Sequence, residues 1–134
     1  MAVPDSDTNE SWHIFKKYWV PVTLYAGFIF YMSSLSVPIS NVQIDLSVLH
    51  VPMFFVLSYL SMRALVESSK KIGIGKAMIA AIVFTAMYGI LDELHQLYVP
   101  GRTFSYFDME LDALGGLLIV FKEWWEKLFE KVNL

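Results

Sequence analysis

Four apolar segments run through this chain of 134 residues. In an apolar solvent every backbone N–H and C=O must be satisfied within the chain, and only helices or closed barrels do that. No charge falls between Lys17 and Asp45, and the apolar part of that stretch, Tyr18 to about Leu35, can span a bilayer. The second uncharged stretch lies between Asp45 and Arg63, the third runs from Ala77 to Leu91, and the fourth from about Ser105 to Phe121. A membrane helix needs ~17–25 residues, which the third and fourth reach once their polar ends are counted. Short spans with acids at one end also suit a locally thinned bilayer. A water-soluble bundle would show polar stripes at helical spacing, and the first three segments show almost none.

Composition agrees. The chain is 56% hydrophobic and only 17% charged, with a mean hydropathy of +0.50, whereas soluble domains carry roughly a quarter charged residues. The expected fold is therefore all-α: one integral membrane bundle of four transmembrane helices and no second domain. It divides into a polar N-terminal segment (1–17), a four-helix membrane domain (18–121) and an amphipathic interfacial tail (122–134). Residues Met1 to Ser11 are polar, with Asp5, Asp7 and Glu10. They lack the basic start and small-residue exit of a cleaved signal peptide, so the first span reads as a retained anchor. With no cysteine there is no disulfide frame, thiolate nucleophile or cysteine metal site. No cofactor is expected.

Basic residues set the orientation. Lys16 and Lys17 precede the first span, while Arg63, Lys70, Lys71 and Lys76 flank the turn between the second and third. Lys122, Lys127 and Lys131 follow the fourth. Of the ten Lys and Arg, only Arg102 falls on the other side. The positive-inside rule makes the basic side cytoplasmic, and Trp12, Trp19, Trp124 and Trp125 fall there too, as interfacial anchors. Both termini are then cytoplasmic in a multi-pass protein of the cell membrane. Trp124, Trp125, Leu128, Phe129 and Val132 recur at helical spacing opposite Glu123, Glu126, Lys127, Glu130 and Lys131, the pattern of a helix lying along the inner surface.

The outward end carries the chemistry. Leu91 to Arg102 reads Leu-Asp-Glu-Leu-His-Gln-Leu-Tyr-Val-Pro-Gly-Arg, and Asp108, Glu110 and Asp112 follow. Charged groups at a membrane boundary are costly and mark functional candidates. On the third helix Asp92, His95 and Gln96 share a face with Glu93 beside it; on the fourth, Asp108, Asp112 and Gly115 share one, with Glu110 opposite. Helices joined by a tight turn are antiparallel neighbours, so these faces can meet. Gly115 and Gly116 permit close helix approach one turn deeper. Asp92 and Glu93 lie near a helix C-terminus, where the dipole disfavours acids, so a partner is expected, with Arg102 the obvious one. Ser105 to Asp108 fits a capping box in which Asp108 only closes a helix start. Asp112, about two turns into a span, must pair, stay protonated or bind something. His50 can join the cluster or serve as a hydrogen-bonded structural residue. Ser33 and Ser34 can reach a head group, although bonds to their own backbone are preferred.

Three chemistries suit these residues. Arg102 could grip a phosphate or carboxylate through a forked hydrogen bond, with acids orienting it or meeting hydroxyls and amines. Asp92, His95, Asp108 and Asp112 could hold a divalent metal that activates water on a lipid phosphate, although no spacing matches a metal signature. A proton path is the weakest reading, since the first two spans offer no ionisable residue at mid-depth. A Gly-rich phosphate loop, a nucleophile elbow and a basic nucleic-acid patch are all missing from the sequence. The preferred reading is recognition of an anionic lipid or glycolipid between helices three and four. Arg102 is its anion ligand, Asp92 and Glu93 its orienters, and Gln96, Asp108 and Asp112 further contacts, with His95 and His50 as possible additions. The alternatives are a metal-assisted membrane hydrolase or transferase acting on a lipid-linked phosphate, and a purely structural ion-pair network in an accessory membrane subunit. Membrane lipids are the expected partners, and the residues leave both catalysis and oligomeric state open.

The string Asp92-Glu93-x-x-Gln96-x-x-x-Pro100-Gly101-Arg102, followed by Asp108, Asp112 and Gly115, resembles the VanZ-like family. The resemblance extends from about Tyr18 to Val120, including Tyr31-Met32-Ser33-Ser34 and the helix-two start from Asp45 to His50. It implies a small membrane protein of about four helices with a cell-envelope role; the family takes its name from a protein conferring low-level resistance to the glycopeptide teicoplanin. This chain departs from the family pattern in having Asp112 where asparagine is common and Ile119 where glycine is frequent. It also lacks a lysine after Asp45, and its histidine is displaced by one residue.

Overall fold

The periodic apolar segments form helices throughout a computed structural model that describes residues 6–35, 46–69 and 71–132. No strand occurs among these residues. The helical pieces line up as four rods. The first contains α1 (Ser6–Ile14), one wide π turn (Phe15–Trp19) and α2 (Val20–Ser33). The wide turn sits just before Pro21, whose ring clashes with the carbonyl four residues back and has no N–H to offer it. An extra residue in the turn relieves that clash.

The second rod opens with a 3₁₀ turn (Leu46–Leu49) and continues as α3 (His50–Ser68). Pro52 falls in the first turn of α3. The third rod is α4 (Ile74–Gln96), and the fourth joins α5 (Tyr106–Leu117) to α6 (Ile119–Val132) through Leu118. Ser47–Ser68 and Ile74–Gln96, 22 and 23 residues, are long and apolar enough to cross a membrane. The helix on the third apolar segment thus extends a turn or so beyond Ala77 and Leu91 at either end. The polar residues Asp92, Glu93 and Gln96 belong to its body, not to a loop. The side chains of Trp125, Leu128, Phe129 and Val132, on which the expectation of an amphipathic tail rests, lie outside the described residues, as do Asp45 and Lys70.

Helix α3 is the hub, packing on α5, α4 and α2, while α4 also packs on α5. One apolar core joins Val22 and Ile29 of α2 to Phe54, Leu57 and Ala64 of α3, with Tyr88 against it. A second joins Met62, Ala77, Ala81 and Ile119. Between α3 and α5 the backbones nearly touch. A Cβ placed on Gly115 would fall onto the carbonyl oxygen of Val51 and lie 3.1 Å from the Cβ of Phe54. Gly116 packs against Thr85, and its carbonyl accepts a 3.1 Å hydrogen bond from Ser58 Oγ. Tyr88 reaches α2 by donating to the carbonyl of Ala26 at 2.6 Å.

The outer faces stay apolar. Leu24, Phe28, Phe30 and Tyr31 of α2 and Ile79, Val83, Met87, Ile90 and Leu94 of α4 are exposed. So large an exposed apolar surface suits lipid rather than water. At one end of the rods Arg63 lies 5.2 Å and Lys17 5.1 Å from the ring of Tyr18, and Lys122 lies 4.6 Å from that of Tyr59. Trp19 there donates to Ser68 Oγ at 2.6 Å.

Candidate functional site

At the opposite end, α4 carries an Asp-Glu-x-x-Gln spacing that places all three polar side chains on its inner face. Asp92, Glu93 and Gln96 are 3%, 0% and 2% exposed, so their polar atoms must find partners inside the protein. Gln96 supplies two of them. Its amide nitrogen donates 3.1 Å hydrogen bonds to Asp92 Oδ2 and Glu93 Oε1, using both of its N–H groups.

The chain then turns back. Val99-Pro100-Gly101-Arg102 forms a tight turn closed by a 3.1 Å bond from Arg102 N–H to the Val99 carbonyl. Gly101 has φ +82°, as the third position of a type II turn requires, and proline fits the second. The return brings Ser105 to the start of α5, where its Oγ accepts from the backbone N–H of Asp108 at 3.1 Å. That is half of the expected capping box. In the full motif the carboxylate three residues on takes the N–H of the capping serine. Here Glu93 Oε2, from the neighbouring helix, takes it at 2.8 Å. Glu93 therefore ties α4 to the start of α5, and Asp108 is released from capping.

Asp112 lies one turn deeper and is fully buried. Its Oδ1 shares a 2.7 Å hydrogen bond with His50 Nδ1, and its Oδ2 rests over Gly89, where a Cβ would come within 2.7 Å. Gly89 is thus what lets α4 approach an acid-bearing helix. The His50 ring stacks on Phe54, 6.0 Å between centroids and 9° apart, which fixes its plane. Three carboxylate oxygens at this end of the rods, Asp92 Oδ1, Asp108 Oδ1 and Asp112 Oδ2, are buried without a hydrogen-bond partner among the described residues.

Two expected members sit elsewhere. His95 turns toward α2, 2.9 Å from Ser34 Oγ, with its ring 4.1 Å from that of Phe30. Asp92, His95, Asp108 and Asp112 therefore do not converge, and no metal-holding group of three His, Asp or Glu occurs among the described residues. Arg102 forms no ion pair with Asp92 or Glu93; its Nε donates to the Ser33 carbonyl at 3.4 Å. The turn aims Arg102 at the C-terminal carbonyls of α2, where a cation is favoured, while Gln96 already serves the two acids. Ser33 and Ser34 bond back to the Phe30 carbonyl at 3.1 and 2.6 Å, as their preference for their own backbone predicts. Glu110 is exposed, opposite the cluster. The closest partnership in the site, His50 with Asp112, joins residues 62 apart, and the one sequence signal for it was a histidine near the outer end of helix two.

No curated protein and no solved structure is significantly similar to this chain. A family model described as VanZ/LLP1 matches residues 4–122, nearly the whole length. The buried Asp-Glu-x-x-Gln face, the Pro-Gly-Arg turn and Asp112 all fall within that match, and the chain belongs to the VanZ-like family.

Proposed function

We propose that this protein crosses the cell membrane four times with both termini in the cytoplasm and binds the head group of an anionic envelope lipid or glycolipid at its outward polar end. The exposed apolar belts of α2 and α4 and the cationic–aromatic contacts at the opposite end support that orientation. The observation that carries the binding reading is Arg102. It is half-buried, and among the described residues it has no carboxylate partner and only its Nε is engaged, by a backbone carbonyl. The two terminal nitrogens of a guanidinium form a fork that matches a phosphate. Within ten residues of Arg102 along the chain, Asp92, Asp108 and Asp112 offer acceptors for hydroxyl or amine groups of the same ligand. Arg102 thus takes the anion and the acids take the donors.

The test is lipid retention. Protein purified in mild detergent should carry co-purifying lipid phosphate at near-equal stoichiometry, and Arg102→Ala should reduce it by about tenfold or more, in line with loss of one charge-assisted hydrogen-bonded contact. Arg102→Lys should restore only part, since an ammonium cannot form the fork. Full retention in a folded Arg102→Ala protein would sink the reading.

A further inference from the structure

The carbonyl oxygen of Phe30, near the outward end of α2, has more donors than it can use. It takes the backbone N–H of Ser34 at 3.1 Å, Ser33 Oγ at 3.1 Å and Ser34 Oγ at 2.6 Å. A carbonyl has two lone pairs, and the first two donors fill them. The Ser34 hydroxyl proton can therefore leave Phe30 without stranding an acceptor. A second acceptor is already in place, since His95 Nε2 lies 2.9 Å from Ser34 Oγ. With the proton of neutral His95 on Nδ1, Nε2 presents a lone pair to Ser34. The Phe30 ring, 4.1 Å from that of His95 between centroids, holds the imidazole against α2. A hydroxyl and an imidazole within hydrogen-bond reach are the nucleophile and base of covalent catalysis. Deeper hydroxyls are not so placed. Ser58 spends its proton on the Gly116 carbonyl, and Ser61 and Thr85 are sealed in the core with no partner among the described residues. Ser34 and His95 are both half-buried, within reach of a ligand from outside.

Arg102 lies beside this pair. Its Nε donates to the Ser33 carbonyl at 3.4 Å, and that carbonyl belongs to the peptide unit joining Ser33 to Ser34. The two terminal nitrogens can thus hold an anion next to the Ser34 hydroxyl. We infer that Ser34 is a nucleophile, His95 its base and Arg102 the ligand of the phosphate it attacks, so that the outward end transfers phosphoryl groups from a phospholipid phosphodiester. This deepens the head-group reading above and rests on it, since that reading puts the phosphate on Arg102. As Ser34 Oγ bonds to phosphorus, His95 Nε2 takes the hydroxyl proton. The bond from phosphorus to the departing alcohol breaks, and that alkoxide takes the proton from His95. Water completes the cycle: His95 takes its proton, its oxygen bonds to phosphorus, and Ser34 Oγ leaves and is protonated again by His95. Arg102 faces the charge that gathers on the phosphate oxygens in both steps.

The experiment treats detergent-purified protein with an alkyl fluorophosphonate, which a serine attacks at phosphorus with loss of fluoride, and maps the adduct by peptide mass spectrometry. One adduct is expected, on Ser34, with Ser33 unmodified. His95→Ala should slow labelling about 100-fold, the usual contribution of a general base. Added imidazole should restore part of that rate, which a merely structural histidine would not allow. Excess phosphatidylglycerol should protect Ser34, and Arg102→Ala should abolish the protection. No adduct on Ser34, an unchanged rate in His95→Ala, or a slow rate that imidazole does not lift overturns the nucleophile and base, while lipid retention through Arg102 still stands. Labelling that phosphatidylglycerol does not slow overturns the lipid phosphodiester as substrate. Lipid retention that ignores Arg102 overturns the head-group reading and this inference together.

Discussion

Replacing Gln96 with leucine is expected to destabilise the protein by roughly 3 kcal/mol or more, the range for removing one partner from a buried charged network. Gln96 lies between Asp92 and Glu93 and donates to both. Leucine has a comparable volume, so packing changes little and the effect isolates hydrogen bonding. Two carboxylates then lose their side-chain donor in a site with almost no water access, and each carries the desolvation penalty of an unsatisfied group. Glu93 keeps the Ser105 N–H, whereas Asp92 keeps no donor among the described residues. Asp92→Asn in the Gln96→Leu background should therefore recover part of the loss by removing the charge. The check is thermal unfolding in detergent, followed by circular dichroism, for the single and double variants. A Gln96→Leu protein that melts with the unaltered one would show that the cluster is solvated and the hydrogen bonds immaterial.

Gly115→Val should be more damaging still and prevent accumulation of folded protein. A side chain there meets the Val51 carbonyl, which is backbone and cannot rotate away. Helices α3 and α5 would have to separate, and with them His50 and Asp112. Overpacking in a tight core costs about 1–3 kcal/mol even where neighbours can shift, and here they cannot. Gly116→Ala gives the contrast. Its nearest neighbour is the methyl of Thr85 at 3.2 Å, a side-chain atom able to give way. Membrane-fraction yield and melting temperature distinguish the two, and equal tolerance of both substitutions would contradict the close approach of α3 and α5.

Much of this was legible in the sequence where local chemistry decides. Uninterrupted apolar runs give the helices, Pro100-Gly101 gives the turn, and Ser105 gives the cap of α5. The shared face of Asp92 and Gln96 follows from helical spacing alone. What escaped depends on contacts between distant segments. The capping box implies that Asp108 serves Ser105, but Glu93 reaches across from α4 and takes its place. His50 could be assigned to Asp112 only once the start of α3 was set beside α5. The expectation for Arg102 rested on proximity of opposite charges, yet the φ of Gly101 and the position of α2 steer it to the Ser33 carbonyl instead. The π turn before Pro21 has a local cause, but its width depends on how the chain relieves the clash.

The account rests on the polar cluster facing out of the cell. The chain has no cysteine, so single cysteines can report topology without background. Tyr98, 85% exposed beside the Pro-Gly turn, and Lys71, exposed in the turn between α3 and α4, mark the two ends of the rods. In intact cells a membrane-impermeant maleimide should label Tyr98→Cys and spare Lys71→Cys until the membrane is permeabilised. Labelling of Lys71→Cys alone in intact cells would place the carboxylates and Arg102 in the cytoplasm and contradict an outward-facing head-group site.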